Sequence, residues 1–507
     1  MEIGDMKTNK LHIIHTNDFH SHFPNWPKVV RTIKQLKKSF EEQQEPYLLV
    51  DIGDHADRSH FLTDGTLGQV NIALLNQLGY NYVTIGNNEG LTFSKDQLSE
   101  LYNDRRFQVI LGNLFDMEGV QPAWLDPYAI HEVAGWKLGI MGVTANFNLF
   151  YELLGWRITN PIEILKEQIK ALRGQVDVLI LLSHLGLPKD EQIAEQLEGI
   201  DLIIGAHTHH VLADGKKIKD CHISQAGKFG KYVGHIQIEL RAQSEEVNQS
   251  KTQLLPKYKT NDTNVLKAAD KGYNIASSCI ETEHSLEDIA TTELLHKWEN
   301  IAKDKLSRVV TVLEQDLQVE WHSESELGNL LAESLRRWCG TEIALVNTGQ
   351  ILGNLKQGVV TIEQLLHICP HPINPCILQM SGKQLWSILQ HSLNPEIERL
   401  HIMGFGFRGK IMGTLAVDGL QIHYRERGKQ KEIMDIWANG VPLQKEESYN
   451  IASIDMFTFG HIFPEFQEAE KITYLLPEFI RDLLAFRLAE QGLSSSYQKR
   501  WLNKDLS

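Results

Sequence analysis

At 507 residues, 42% hydrophobic and 23% charged, the chain has a globular composition and is too long for one ordinary core, so two domains are expected. Its formal net charge of −15 argues against a partner such as duplex nucleic acid, which needs a Lys/Arg surface. The polar stretch Met1–Lys10 lacks the apolar core of a secretory signal, no apolar run is long enough to span a bilayer, and five scattered cysteines build no disulfide framework, so a cytoplasmic protein with no membrane partner is expected.

Residues 8–242 alternate short β-rich runs with helical patterns. The strand candidates are Leu11–Asn17, Tyr47–Ile52, Tyr82–Ile85, Val109–Leu111, Leu138–Val143, Val176–Leu182 and Asp201–Ile204. Val29, Ile33, Leu36 and Phe40 form one apolar stripe at helical spacing. Leu67, Val70, Leu74 and Leu78 form a second, stopped by Gly79, and Ile162, Leu165, Ile169 and Leu172 form a third. This rhythm predicts a layered α/β domain. Ala242–Asn264 is polar and lysine-rich around Pro256, and helical segments follow from about Val265 to Ser307, so 243–308 is expected to be linker and helical connector. A second region, 309–507, carries a helix at Leu327–Trp338, a strand at Glu342–Asn347, β-rich runs such as Gly419–Tyr424 and a terminal helix from Pro477.

The chemistry sits where the strands of the first region end. Each apolar run stops on a polar cluster: Asn17–His20, Gly53–His55, Gly86–Glu89, Ser183–Gly186 and Gly205–His209. Carboxyl ends of strands in an α/β sheet share one edge, so these clusters are expected to converge. The candidate ligands are Asp18, His20, Asp54, Asn87, His184, His207 and His209. Two carboxylates, an amide carbonyl and four imidazoles suit Mn, Fe, Co, Ni or Zn better than Ca. A single His or Asp after a strand has an ordinary structural reading, but five such clusters in order point to a two-metal centre that activates water against a phosphate ester.

The order Asp-x-His, Gly-Asn after Gly-Asp, His and Gly-x-His-x-His resembles the calcineurin-like metallophosphoesterases. The runs "HTNDFHSH" and "ISQAGKFGKYVGHIQIEL" look like their 5′-nucleotidase/UDP-sugar hydrolase branch, and "ESELGNLLAESLRRWCGTEIALVNTGQI" is similar to the start of the nucleotidase C-terminal domain. The resemblance implies a four-layer α/β/β/α metallophosphoesterase sandwich over 8–242 and a smaller α/β substrate-recognition domain over 309–507. It also implies that Asp18, His20, Asp54 and His209 hold one divalent ion and Asp54, Asn87, His184 and His207 the other, with Asp54 bridging.

Two departures from that pattern stand out. Asn88 occupies the place of the family's catalytic His, and Leu91 that of the Asp orienting it; an amide donates hydrogen bonds but is no general acid. His22 and His55 are alternative acids, or else orienting or surface histidines. In the second region the resemblance places His371 and Phe457 at the two rings that sandwich a base and Asn347 against the base, whereas Ser323 and Leu352 fall where arginines are usual. Arg408 and Lys410, in a glycine-rich stretch, are candidate replacement contacts for phosphate, or parts of a simple loop. Cys369, His371 and Cys376 are too few and too constrained by prolines for a zinc site. The expected activity is hydrolysis of a nucleotide or similar small phosphate ester. Cleavage of cyclic nucleotides or nucleotide-sugars is one alternative, and nucleotide binding with weak or no turnover another.

Overall fold

The computed structural model describes residues 10–240, 272–404, 406–428, 430–490 and 498–505. In its first domain two six-stranded sheets lie face to face. One has the order Tyr273–Glu281, Tyr232–Leu240, Lys10–Thr16, Tyr47–Asp51, Tyr82–Val83, Gln108–Val109. The other runs Lys216–Ile218, Cys221–Ser224, Leu202–Gly205, Val178–His184, Trp136–Thr144, Tyr128–Val133.

Alternation along each strand decides the layers. Leu11, Ile13, Leu48 and Val50 of the first sheet meet Leu138, Ile140, Ile180 and Ile204 of the second in a core between the sheets. Ile14 and Leu49 face the other way, onto Val29 and Ile33 of the helix Trp26–Gln43 and Val70 and Leu74 of the helix Gln69–Leu78. On the far side, Leu179 and Leu181 pack on Leu165 and Leu172 of the helix Pro161–Leu172. The result is the α/β/β/α order expected from the resemblance. Gly79 ends its helix at φ +68°, a left-handed position that favours glycine.

The stretch placed in a helical connector behaves differently. Tyr273–Glu281 is a strand that pairs antiparallel with Tyr232–Leu240 along its whole length, and among the described residues of this stretch only Ile289–Leu306 is helical. The reason is visible in Tyr273, Ile275, Ser277 and Cys279: at a spacing of two they are half-buried while Asn274, Ala276 and Ser278 between them are exposed, which suits an edge strand rather than a helix. Ala242–Asn264 lies outside the described residues.

The second domain is built on a five-stranded sheet, Leu415–Asp418, Ile343–Asn347, Ser448–Ile454, Pro375–Ser381, Lys471–Tyr474. The helices Glu326–Cys339 and Ile480–Ala489 pack against its core through Leu327, Leu331, Leu335, Ile480 and Leu484. The terminal helix expected from Pro477 is confined to Ile480–Ala489, and Trp501–Asn503 forms a parallel strand against Ile422–Tyr424. Among the described residues, no helix is long and apolar enough to cross a membrane.

Candidate metal centre

The strand ends converge as parallel pairing requires. Lys10–Thr16 and Tyr47–Asp51 run parallel in one sheet and Val178–His184 and Leu202–Gly205 in the other, so the loops after all four leave from one edge. There Asp18, His20 and His209 bring one ligand atom each within 4.8 Å of one another, as do Asp54, His184 and His207. Asp54, which the resemblance assigns to both ions, falls in the second group, with its Oδ2 3.7 Å from His20 Nε2 of the first. Asn87, at the start of the helix Asn87–Thr92, keeps a buried Oδ1 without a hydrogen-bond partner.

The protein holds these groups against backbone preference. Asp18, His20, Asp54, His207 and His209 all have φ between 47° and 74°, a region that non-glycine residues avoid. Such residues cost on the order of 1–3 kcal/mol each and persist at functional sites. Their neighbours enforce them. The His207 N–H donates to Asp18 Oδ1 at 3.0 Å, and Asn17 Nδ2 donates to Asp18 Oδ2 at 2.9 Å. Glu89 receives the N–H groups of Asp54, Ala56 and Gly86, tying two strand ends together. Gly86 has to be glycine because a Cβ there would fall inside the Asp54 carboxylate.

Electrostatics favour a cation. Burial disfavours charge on His184, yet the Asp54 carboxylate, 3.4 Å from its Nε2, drives the imidazole up to about 10. His184 Nδ1–H donates to Ile52 O at 2.7 Å, which leaves the buried Nε2, facing Asp54, as the nitrogen at which a metal would replace the proton. Burial and neighbouring histidines push His207 down to about 4 and His209 down to about 3, leaving both neutral, the form that ligates. Two buried carboxylates, the neutral His207 and His209 and the inward-facing His184 Nε2 and Asn87 Oδ1 fit borderline divalent metals.

Asn88 lies between the groups. Its Nδ2 donates to Asp54 Oδ2 at 2.7 Å and lies 3.2 Å from His20 Nδ1. Leu91 packs on the first-domain core. His55 does not replace the missing acid: it is buried between Phe19 and Trp26, and burial pushes it down to about 3. His22 sits beside the Phe229 ring, at 5.2 Å.

The expected base-binding residues are placed otherwise. His371 and Phe457 are both 0% exposed. His371 stacks on Phe407, donates from Nε2 to Gln350 O and accepts the Arg408 N–H at Nδ1. Phe457 packs against Phe463 and Phe466. Neither ring offers a face to a base, because each fills a core position. Asn347 is fully buried too, donating to Met412 O and accepting from Gln350 Nε2. Cys369 and Cys376 are free and buried in the second core. Spacing along the chain did not single out Asp57, which proves to lie 3.5 Å from His20 Nδ1; its signal was a carboxylate three residues after Asp54.

Comparison with known proteins agrees with this geometry. Residues 11–211 match the calcineurin-like phosphoesterase family and residues 305–467 the 5′-nucleotidase C-terminal domain. The chain is 40% identical over 483 residues to the metallophosphoesterase YunD of Bacillus subtilis, covering 95% of this chain and 99% of that one. It is 23% identical over 447 residues to the 5′-nucleotidase of Rattus norvegicus, covering 76% and 72%. Its fold is similar to that of a 5′-nucleotidase precursor from Thermus thermophilus (TM-score 0.55, 20% identity, 97% and 99% covered) and of the NAD nucleotidase of Haemophilus influenzae (TM-score 0.65, 14% identity, 98% and 100% covered). The chain therefore belongs to the calcineurin-like metallophosphoesterases that carry a 5′-nucleotidase C-terminal domain, and is a phosphoric ester hydrolase of that family.

Proposed function

We propose that the chain hydrolyses a nucleotide or a similar small phosphate ester with two divalent ions. Asp18, His20, Asp54 and His209 would hold one, and Asp54, Asn87, His184 and His207 the other. The observation that carries this reading is the pair of ligand triads, one of which contains Asp54 while His20 of the other lies 3.7 Å from the Asp54 carboxylate, with the buried His184 Nε2 and Asn87 Oδ1 beside them. Bound there, divalent ions supply Lewis acidity that activates water and neutralises phosphoryl charge.

The chain's own residues set the rest. Asp18 and Asp54 balance the cationic charge, and the bond from Ile52 O to His184 Nδ1 fixes that ring's tautomer. The Asn88 amide can donate to a phosphoryl oxygen, but it has no proton to give a leaving alkoxide. This favours substrates whose leaving group departs unaided, so a diester or pyrophosphate, such as a cyclic nucleotide or nucleotide-sugar, is the second reading. Five cysteines scattered along the sequence support a reducing, cytoplasmic setting as part of this proposal.

A screen of AMP, an aryl phosphate, a 2′,3′-cyclic nucleotide and a UDP-sugar with Mn²⁺, Co²⁺, Zn²⁺, Ni²⁺ or Fe²⁺ tests it. Metal-dependent release of phosphate or nucleotide, lost in Asp54→Ala, is expected. AMP as the fastest substrate rules out the diester reading, and no turnover with any pair overturns both.

A further inference from the structure

We infer that Asp57 is a positioning residue for His20, and that Arg408 of the C-terminal domain holds the Asp57 carboxylate in place. The inference rests on the metal-centre reading above.

The two nitrogens of His20 face different surroundings. Nε2 looks into the centre, 3.1 Å from His209 Nε2 and 3.7 Å from Asp54 Oδ2. Nδ1 looks away, 3.5 Å from Asp57 Oδ2 and 3.2 Å from Asn88 Nδ2. An imidazole that ligates through Nε2 carries its proton on Nδ1, and that proton needs an acceptor. The Asn88 nitrogen cannot accept it, and its bond to Asp54 Oδ2 fixes which way that amide points. Asp57 is the acceptor.

Asp57 is itself pinned. It is buried, its N–H donates to Ser21 Oγ at 2.8 Å, and its Oδ1 receives the Ser59 N–H at 2.9 Å. Arg408 Nη2 donates to Oδ2 at 2.7 Å from the other domain, 351 residues along the chain. That arginine is anchored in turn: its N–H donates to His371 Nδ1 at 2.8 Å, and the His371 ring stacks on Phe407 with centroids 5.1 Å apart. A continuous set of contacts thus joins the second core to a ligand of the first. Arg481 and Asp64, 2.7 Å apart, link the domains separately, so docking does not hang on Arg408 alone.

Counting bound Mn²⁺ by electron paramagnetic resonance on the full chain tests the role of Asp57. Asp57→Ala is expected to weaken one ion by about 10–100-fold, as loss of an orienting partner does, while the other ion stays tight and reports an intact fold. Asp57→Asn keeps an acceptor for the Nδ1 proton and is expected to recover part of that loss. Wild-type binding in both variants, equal weakening in both, or loss of both ions would overturn the assignment. For Arg408, the affinity for the same Mn²⁺ ion should fall in Arg408→Gln, with the double variant no worse than Asp57→Ala alone; full additivity would break the link between the two residues. Mn²⁺ counts need no turnover, so a wild type inert toward every phosphate ester would defeat the proposed function without touching this result.

Discussion

Asn88 grips Asp54 twice: its Nδ2 donates to Oδ2 at 2.7 Å and its backbone N–H to Oδ1 at 2.8 Å. The residue standing where the family resemblance places a histidine therefore orients the carboxylate that the resemblance assigns to both ions. The site keeps its charge geometry while lacking a proton donor at that point.

Restoring the donor should speed esters with poor leaving groups. In Asn88→His/Leu91→Asp, kcat on AMP is expected to rise on the order of 10²-fold, the lower range of general acid help, because Leu91 packs on the core and its carboxylate replacement carries a stability cost. An aryl phosphate, whose leaving group needs no proton, should gain far less. Equal gains on the two substrates would contradict the argument.

Gly86→Ala should abolish tight metal binding while leaving the second domain folded. The added Cβ would overlap the Asp54 carboxylate and crowd the Asp54 backbone nitrogen, at 2.5 Å, so the shared carboxylate has to move. Calorimetric titration with Mn²⁺ reads the effect directly; wild-type affinity would show that the strand ends can part without loss.

Phe457→Ala separates a core role from base stacking. The ring is fully buried against Phe463 and Phe466, so the expected result is a loss of about 3–5 kcal/mol in unfolding free energy, with KM for AMP unchanged in the folded protein. A raised KM at unchanged stability would return Phe457 to the substrate.

Asp455 should make the second domain weaker in alkali. Burial pushes its carboxyl up to about 7, Oδ1 has no hydrogen-bond partner, and Oδ2 receives the Asn374 N–H at 3.3 Å. A folded pKa above the unfolded value of about 3.9 means its contribution is fully present below about 3.9 and is lost as pH rises through about 7. Asp455→Asn is therefore expected to raise Tm at pH 8 and to gain little at pH 4. Thermal melts of the two proteins across that window check the sign.

The candidate metal ligands were legible because each is a local event: a short apolar strand followed at once by Asp18, Asp54, Asn87, His184 or His207. Parallel pairing then carries the strand ends to one edge without further instruction. The layers were legible for a similar reason, since alternation and the Val29–Phe40 stripe state which face is buried. Tyr273–Glu281 escaped because its alternation is polar and only its pairing with Tyr232–Leu240 makes it a strand.

At the metal centre, the sequence by itself determined the seven candidate ligands, and the family resemblance their division between two ions. The tertiary structure alone decided what surrounds them. His371, Phe457 and Asn347 occupy plausible positions along the chain, yet packing buries all three, and His371 serves instead to brace the backbone of Arg408. Asp57 and Arg408 meet across 351 residues. A contact at that separation is written in no local spacing; it exists because two folded cores dock, and it is there that the second domain touches the chemistry of the first.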